Sequence, residues 1–119
     1  LKDYRYTSRF NLIWQNSISH GNDWKSETWF GNFMDKYFPW IYHEYIGWLY
    51  VGGGVQMYDV ELKTGGFWLY AETIGWFWTH DAAFPWVYLS DEKSWLYFDL
   101  DSSLKRYYLS DQDTWKVIK

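Results

Sequence analysis

The sequence has no cysteine among its 119 residues. That excludes disulfide staples and thiol chemistry and leaves packing alone to hold a fold together. Arginine is scarce, present only as Arg5, Arg9 and Arg106, and 11 basic residues face 15 acidic ones for a formal net charge of −4. A nucleic-acid partner requires a cationic footprint against phosphates, and even single-strand binders that stack bases on aromatic rings line them with a basic groove, so nucleic acid is excluded as a partner. No apolar run approaches the roughly 20 residues of a membrane-spanning helix, and no membrane insertion is expected. Helical periodicity is also missing, so no helix longer than a turn or two is expected. The chain opens at Leu1 and not at Met, which suggests a processed product or a piece of a longer polypeptide.

Aromatic residues, by contrast, are abundant. Phe, Trp and Tyr make up 26% of the chain, with 11 Trp among them. Such side chains favour extended backbone and bury a large area each, and the length suits a single domain with its own core. A domain of this size is expected to place about two-thirds of these rings in its core, leaving the rest at least partly exposed.

Residues 4–14 alternate, with Tyr4, Tyr6, Phe10, Leu12 and Trp14 on one face, the period of a half-buried strand. Residues 16–26 are polar, contain His20-Gly21-Asn22-Asp23, and read as a loop. From Trp29 onward the chain repeats itself. Phe38-Pro39-Trp40-Ile41-Tyr42 recurs as Phe84-Pro85-Trp86-Val87-Tyr88, and Gly47-Trp48-Leu49-Tyr50 recurs as Ser94-Trp95-Leu96-Tyr97. The shared unit is Trp, then an aliphatic residue or Phe, then Tyr or Trp, beginning at Trp40, Trp48, Trp68, Trp76, Trp86 and Trp95. In a strand, each unit sets two large rings on one face and one apolar residue on the other, so both faces are apolar at the strand centres. Between the units, Gly52-Gly53-Gly54, Gly65-Gly66, Asp91-Glu92-Lys93 and the 99–103 stretch read as turns. The spacing predicts an all-β antiparallel meander of short aromatic hairpin repeats, about nine to ten strands with residues 1–15 as the first. An open sheet, a partly closed barrel and a short hairpin solenoid all satisfy it. The chain divides into an N-terminal strand and loop, 1–28, leading into the repeat region, 29–119.

Trp29-Phe30-Gly31-Asn32-Phe33, Tyr37-Phe38-Pro39-Trp40-Ile41-Tyr42-His43 and Gly47-Trp48-Leu49-Tyr50-Val51 are followed by Gly75-Trp76-Phe77-Trp78-Thr79, Phe84-Pro85-Trp86-Val87-Tyr88 and Trp95-Leu96-Tyr97-Phe98. This ordered series resembles an aromatic repeat module found near the C-termini of large exported proteins of verrucomicrobial and related aquatic bacteria. The resemblance covers about residues 29–119 and implies a surface-exposed module with no activity attached. A looser likeness to choline- and glucan-binding hairpin repeats lacks their short uniform period, and their ligand is not transferred.

Catalytic chemistry finds little footing. His20, His43 and His80 are far apart in sequence and accompany no nucleophile motif. Glu44, Glu72, Asp59 and Asp81 are carboxylates of the type that cleave glycosidic bonds in pairs, but they read more simply as solvated turns and strand edges. Asp99-Leu100-Asp101-Ser102-Ser103 has the oxygens of a calcium loop fragment, yet Leu104 and Ser110 stand where that loop needs glycine and glutamate. No metal, cofactor or catalytic residue is assigned, and the module is expected to be non-enzymatic. Sugars present C–H faces that stack on Trp and Tyr. The expectation is a cell-surface or secreted module that engages glycan or polysaccharide through Trp40, Trp48, Trp76, Trp86 and Trp95, with Glu44, Asp81 and Asp91 as polar rim. The alternative is a structural or self-associating surface module whose sheet faces or edges are covered by further copies or by the parent protein, possibly as a fibre.

Overall fold

The computed structural model describes residues 17–52 and 66–118, so the strand expected over 1–15 and most of the glycine-rich 52–54 and 65–66 stretches lie outside the described residues. Eleven strands form one sheet in strict sequence order, each antiparallel to the next: β1 Ile18–Gly21, β2 Trp24–Glu27, β3 Gly31–Met34, β4 Trp40–His43, β5 Gly47–Val51, β6 Gly66–Ala71, β7 Gly75–His80, β8 Trp86–Leu89, β9 Ser94–Asp99, β10 Arg106–Leu109 and β11 Thr114–Val117. There is no helix among the described residues. The all-β antiparallel meander is therefore the fold, with more strands than the spacing argument supplied.

The surplus begins at β1 and β2. Residues 16–26, expected as a loop, hold a hairpin whose two-residue turn is Asn22-Asp23, both at positive φ (53° and 66°). Asn and Asp tolerate that conformation, and a turn with both central residues in it matches the twist of the flanking strands. The expectation failed because β1, the edge strand among the described residues, is exposed along its whole length. With no buried face, it carries no hydrophobic alternation to read. Gly66 likewise opens a strand and does not belong to a turn.

Connections alternate between two rims of the sheet. One rim carries tight hairpin loops at residues 28–30, 44–46, 72–74, 90–93 and 110–113; the other carries the 22–23 turn and the longer links 35–39, 81–85 and 100–105. The three-residue loops each end on a glycine of positive φ, Gly31, Gly47 and Gly75 (79° to 101°), while the two four-residue loops put Lys93 and Asp113 in the left-handed region instead. The two prolines sit at matching points, each after a cis peptide bond. Their carbonyls continue the ladder by accepting from Val51 N (2.8 Å) and Phe98 N (3.1 Å).

One face of this sheet is closed on itself. The middle residues of all six aromatic units, Ile41, Leu49, Leu69, Phe77, Val87 and Leu96, are completely buried, and with Phe30, Phe33, Phe84 and Phe98 they form one core. No described Trp or Tyr is fully buried. That corrects the expectation of a mostly aromatic core: from β4 to β9 alternation sends phenylalanine and aliphatic residues inward and the indoles and phenols outward, while Tyr107 of β10 packs against the core. The sheet coils far enough for its rims to meet. Phe84 of the 81–85 link packs on Phe30 (5.2 Å between ring centres) and Trp29 (6.0 Å) of the first tight loop. One hairpin further on, the Tyr45 hydroxyl donates to the carbonyl of Asp99 and accepts from Arg106 N (3.2 Å). Desolvation raises the pKa of that phenol above its ordinary value.

Buried His43 and Thr79 find hydrogen-bond partners along this seam, whereas Asp81 Oδ1 in the 81–85 link is buried without one. His43 is 2% exposed. Its Nε2 lies 2.7 Å from the Phe30 carbonyl, and its Nδ1 accepts from the backbone N–H of Tyr45 (3.1 Å) and Ile46 (3.2 Å). This pattern requires the neutral ring with its proton on Nε2. Burial is the largest influence and pulls its pKa down from 6.5 to about 4. His43 thus joins two successive tight loops, which is a structural duty. Thr79 Oγ1 similarly donates to the Trp86 carbonyl at 2.9 Å.

Candidate binding surface

Because side chains on one face alternate with those on the other, the outward Trp and Tyr residues line up across neighbouring strands. Cross-strand register sorts them into four rows, each four strands long. The first runs Trp24–Met34–Tyr42–Trp48 from β2 to β5. The second runs Trp40–Tyr50–Tyr70–Trp76 from β4 to β7. Trp68–Trp78–Tyr88–Trp95 follows from β6 to β9, and Trp86–Tyr97–Tyr108–Trp115 from β8 to β11. Every row begins and ends on Trp, and each is displaced by two strands from the last. The interval follows from the two-residue step between the Trp and the Tyr or Trp of one unit.

Within a row the rings meet edge to face or tilted. Centre distances are 5.2 Å for Trp40–Tyr50, 5.2 Å for Tyr42–Trp48, 5.3 Å for Tyr70–Trp76, 5.0 Å for Trp86–Tyr97 and 5.4 Å for Tyr88–Trp95. Such pairs contribute about 0.5–1.5 kcal/mol each beyond the area they bury. They also brace the rings as a fixed surface. A ring at a row end has one cross-strand neighbour where an interior ring has two, so row ends retain the most open area. Trp40, Trp48, Trp76, Trp86, Trp95 and Trp115 are 39–48% exposed. Arg106 lies over Trp115 at 4.4 Å from the ring centre.

The sequence nominated Trp40, Trp48, Trp76, Trp86 and Trp95. All five are row ends, share the outer face and are exposed. Trp24, Trp68 and Trp115 complete the eight row ends; Trp68 opens a sequence unit, whereas Trp115 and Trp24 escaped the sequence pattern, because each is followed by lysine and not by an apolar residue then an aromatic one. The signal that would have found them is their register with Tyr108 and Met34. The three nominated acidic residues do not gather into one rim. Glu44 sits in the 44–46 loop, where its Oε1 accepts from Asn32 Nδ2 at 2.9 Å, and Asp91 sits in the 90–93 loop. Asp81 lies on the opposite rim, with Oδ1 buried and 3.7 Å from His80 Nδ1.

The other candidates are dispersed. His20 Nε2 pairs with Ser26 Oγ at 2.7 Å, and His80 Nδ1 accepts from Ala82 N at 3.1 Å. Glu72 is exposed in the 72–74 loop, and Asp59 lies outside the described residues. In the 99–103 stretch the Asp99 carboxylate is taken by Arg106 Nε at 3.0 Å. Among the described residues no group of three or more His, Asp or Glu is placed to hold a metal ion.

Two glycines seat the rings. A Cβ on Gly52 would stand 2.7 Å from Cζ3 of Trp76, and one on Gly66 would strike the ring of Trp78. A Cβ on Gly47, with φ at +101°, would meet nothing within 4 Å. The two positions therefore fail for different reasons when substituted. Gly47→Ala is expected to lower stability by about 1–2 kcal/mol through backbone strain alone, with tryptophan emission unchanged. Gly52→Ala is expected to cost a similar 1–3 kcal/mol by overpacking and to shift the emission spectrum, because Trp76 must leave its seat. Urea unfolding and fluorescence on the two variants check both statements; identical spectra would remove Gly52 as the seat of Trp76.

Comparison of the chain with protein-family models, with curated proteins and with solved structures returned no match.

Proposed function

We propose that the chain is a non-catalytic, cell-surface or secreted binding module that engages glycan or polysaccharide across its outer face. The observation that carries this reading is the set of six half-exposed tryptophans at the ends of four cross-strand rows on one sheet face, most of them braced by neighbouring tyrosines. Rigid, amphipathic rings of this kind offer a flat apolar surface at little conformational cost, which suits the C–H faces of sugars, while the indole N–H and phenol groups reach hydroxyls. A contiguous exposed aromatic patch on a soluble domain ordinarily marks an interaction site. The likeness to aromatic repeats of exported aquatic bacterial proteins supports the same assignment to the cell exterior.

A second reading, a structural or self-associating surface module, is favoured by a different observation. The seam in which tight loops meet the opposite rim has a third position, at residues 72–74. There a groove of about 430 Å³ stands open between Ile74, Leu89, Tyr107 and Leu109. Among the described residues β1 and β11 are the two edge strands, exposed along their length, and an exposed edge is a template for another chain.

Intrinsic tryptophan fluorescence during titration with a panel of bacterial and algal polysaccharides, with ultracentrifugation of the same sample, separates the two. A saturable spectral shift with one glycan class on a monomer is expected. Silence towards every glycan, together with concentration-dependent assembly, would replace glycan binding by self-association.

A further inference from the structure

The outer face changes character at its β1–β3 end. Where later strands carry rings beyond the row, β2 and β3 carry Ser26 and Asn32, which are cross-strand partners. Together with His20 and Glu44 they turn the surface beside Trp24 polar. A cup of about 310 Å³ opens there, lined by His20, Trp24, Lys25, Asn32 and Glu44. We propose that this cup is a terminal subsite that takes one neutral sugar unit by a pair of adjacent hydroxyls, and so sets which glycan the aromatic face accepts. The inference rests on the glycan reading of that face and adds the ligand class.

Three features of the cup support the assignment. The Trp24 ring, in T-shaped contact with Tyr42 at 6.3 Å, supplies an apolar wall with fixed orientation. Asn32 Nδ2 donates to Glu44 Oε1 at 2.9 Å, which holds an amide and a carboxylate side by side. The second amide hydrogen and the remaining carboxylate oxygen are then available as one donor and one acceptor. Neighbouring hydroxyls of a sugar, one donating and one accepting, complement that pair. The charge of the cup is set by Glu44. Lys25 in its wall is already held by Asp35, with Nζ 2.8 Å and 2.9 Å from the two carboxylate oxygens, so its ammonium is not free to receive an anion. A uronate or sulfated unit would bring its negative charge against the Glu44 carboxylate, and juxtaposed like charges repel. Neutral hexoses escape that cost.

Calorimetric titration with cellohexaose, laminarihexaose and mannohexaose, beside the hexamer of galacturonic acid, tests the cup. At least one neutral hexasaccharide is expected to bind in preference to the galacturonate hexamer. Both Asn32 and Glu44 are exposed, so their variants are expected to fold. Asn32→Ala and Glu44→Ala should each weaken the neutral sugar about tenfold, the loss expected for one hydrogen bond involving a charged group. Glu44→Gln keeps an acceptor while removing the charge, and should retain the neutral ligand but lose the discrimination against galacturonate. Unchanged affinity in Asn32→Ala and Glu44→Ala, with binding still lost in Trp48→Ala, would overturn the cup and leave the aromatic face standing. A wild-type preference for the galacturonate hexamer would overturn the neutral specificity. Failure of every oligosaccharide and polysaccharide to bind would overturn both readings.

Discussion

Replacing Phe30 by alanine is expected to lower stability by about 3–5 kcal/mol, the cost of deleting a fully buried aromatic ring that its surroundings cannot refill. Phe30 is completely buried, with the rings of His43, Phe84, Trp29 and Phe33 at 4.6, 5.2, 5.4 and 5.7 Å. Those neighbours come from the 28–30 loop, the 81–85 link of the opposite rim and strands β3 and β4, so the cavity would open at the point where the coiled sheet closes on itself. Total stabilities of small domains are about 5–15 kcal/mol, and a loss of this size removes a large part of it. Urea unfolding gives the number directly. A shift of under about 1 kcal/mol, the size ordinarily seen at surface positions, would mean that the rims do not depend on one another and that the sheet is a string of independent hairpins.

Acidification should act at the same place through His43. The ring is neutral in the fold, with a pKa of about 4, where an unfolded chain would have 6.5. Above pH 6.5 neither state binds the proton and the contribution of the neutral ring is complete. As pH falls from 6.5 towards 4, the unfolded chain takes up a proton that the folded chain refuses, and stability is lost by about 3 kcal/mol across that window. The cause is principally desolvation of the imidazole. The backbone N–H groups of Tyr45 and Ile46, which need Nδ1 as an acceptor, add a second penalty on protonation. In His43→Leu the slope over this window should shrink by that amount, while stability at neutral pH should also fall. The Phe30 carbonyl and two loop N–H groups then lose their partner, at about 1–3 kcal/mol for a buried group left unmatched. Denaturant titrations at stepped pH on both proteins isolate His43 from the carboxylates; parallel curves between pH 6.5 and 4 would contradict the assignment.

Much of this was legible in the sequence, and for a definite reason. Alternation of period two is a local property, so the unit Trp40-Ile41-Tyr42 and its five relatives put the two rings on one face and the middle residue on the other without knowledge of the fold. Which of two apolar faces turns inward was not legible, and the structure buries Ile41, Leu49, Leu69, Phe77, Val87 and Leu96 completely while the five nominated tryptophans stay exposed. Register was not legible. It depends on the length and turn type of each loop, and only register shows that Trp24 and Trp115 end rows of their own. The β1–β2 hairpin stayed hidden because an edge exposed on both faces has no pattern to betray it. His43 accompanies no nucleophile motif in the sequence; that it joins two loops depends on the coiling of the sheet, which no local pattern encodes. The acidic candidates were chosen for nearness in sequence to the aromatic units. Nearness across strands instead joined Glu44 to Asn32 and sent Asp81 to the far rim.

The proposed function amounts to a division of labour between the faces of one sheet, with the inner face holding the fold and the outer face binding. Adjacent residues of β5 test it most directly. Trp48 points outward and is 48% exposed, while Leu49 points inward and is completely buried. Urea unfolding and polysaccharide titration on Trp48→Ala and Leu49→Ala, measured on the same samples, are expected to part cleanly. Leu49→Ala should lose about 2–5 kcal/mol of stability yet respond to glycan wherever it remains folded. Trp48→Ala should lose markedly less stability and no longer respond. If Trp48→Ala is destabilised as much as Leu49→Ala while its glycan response is intact, the outer rings are structural and the division is wrong.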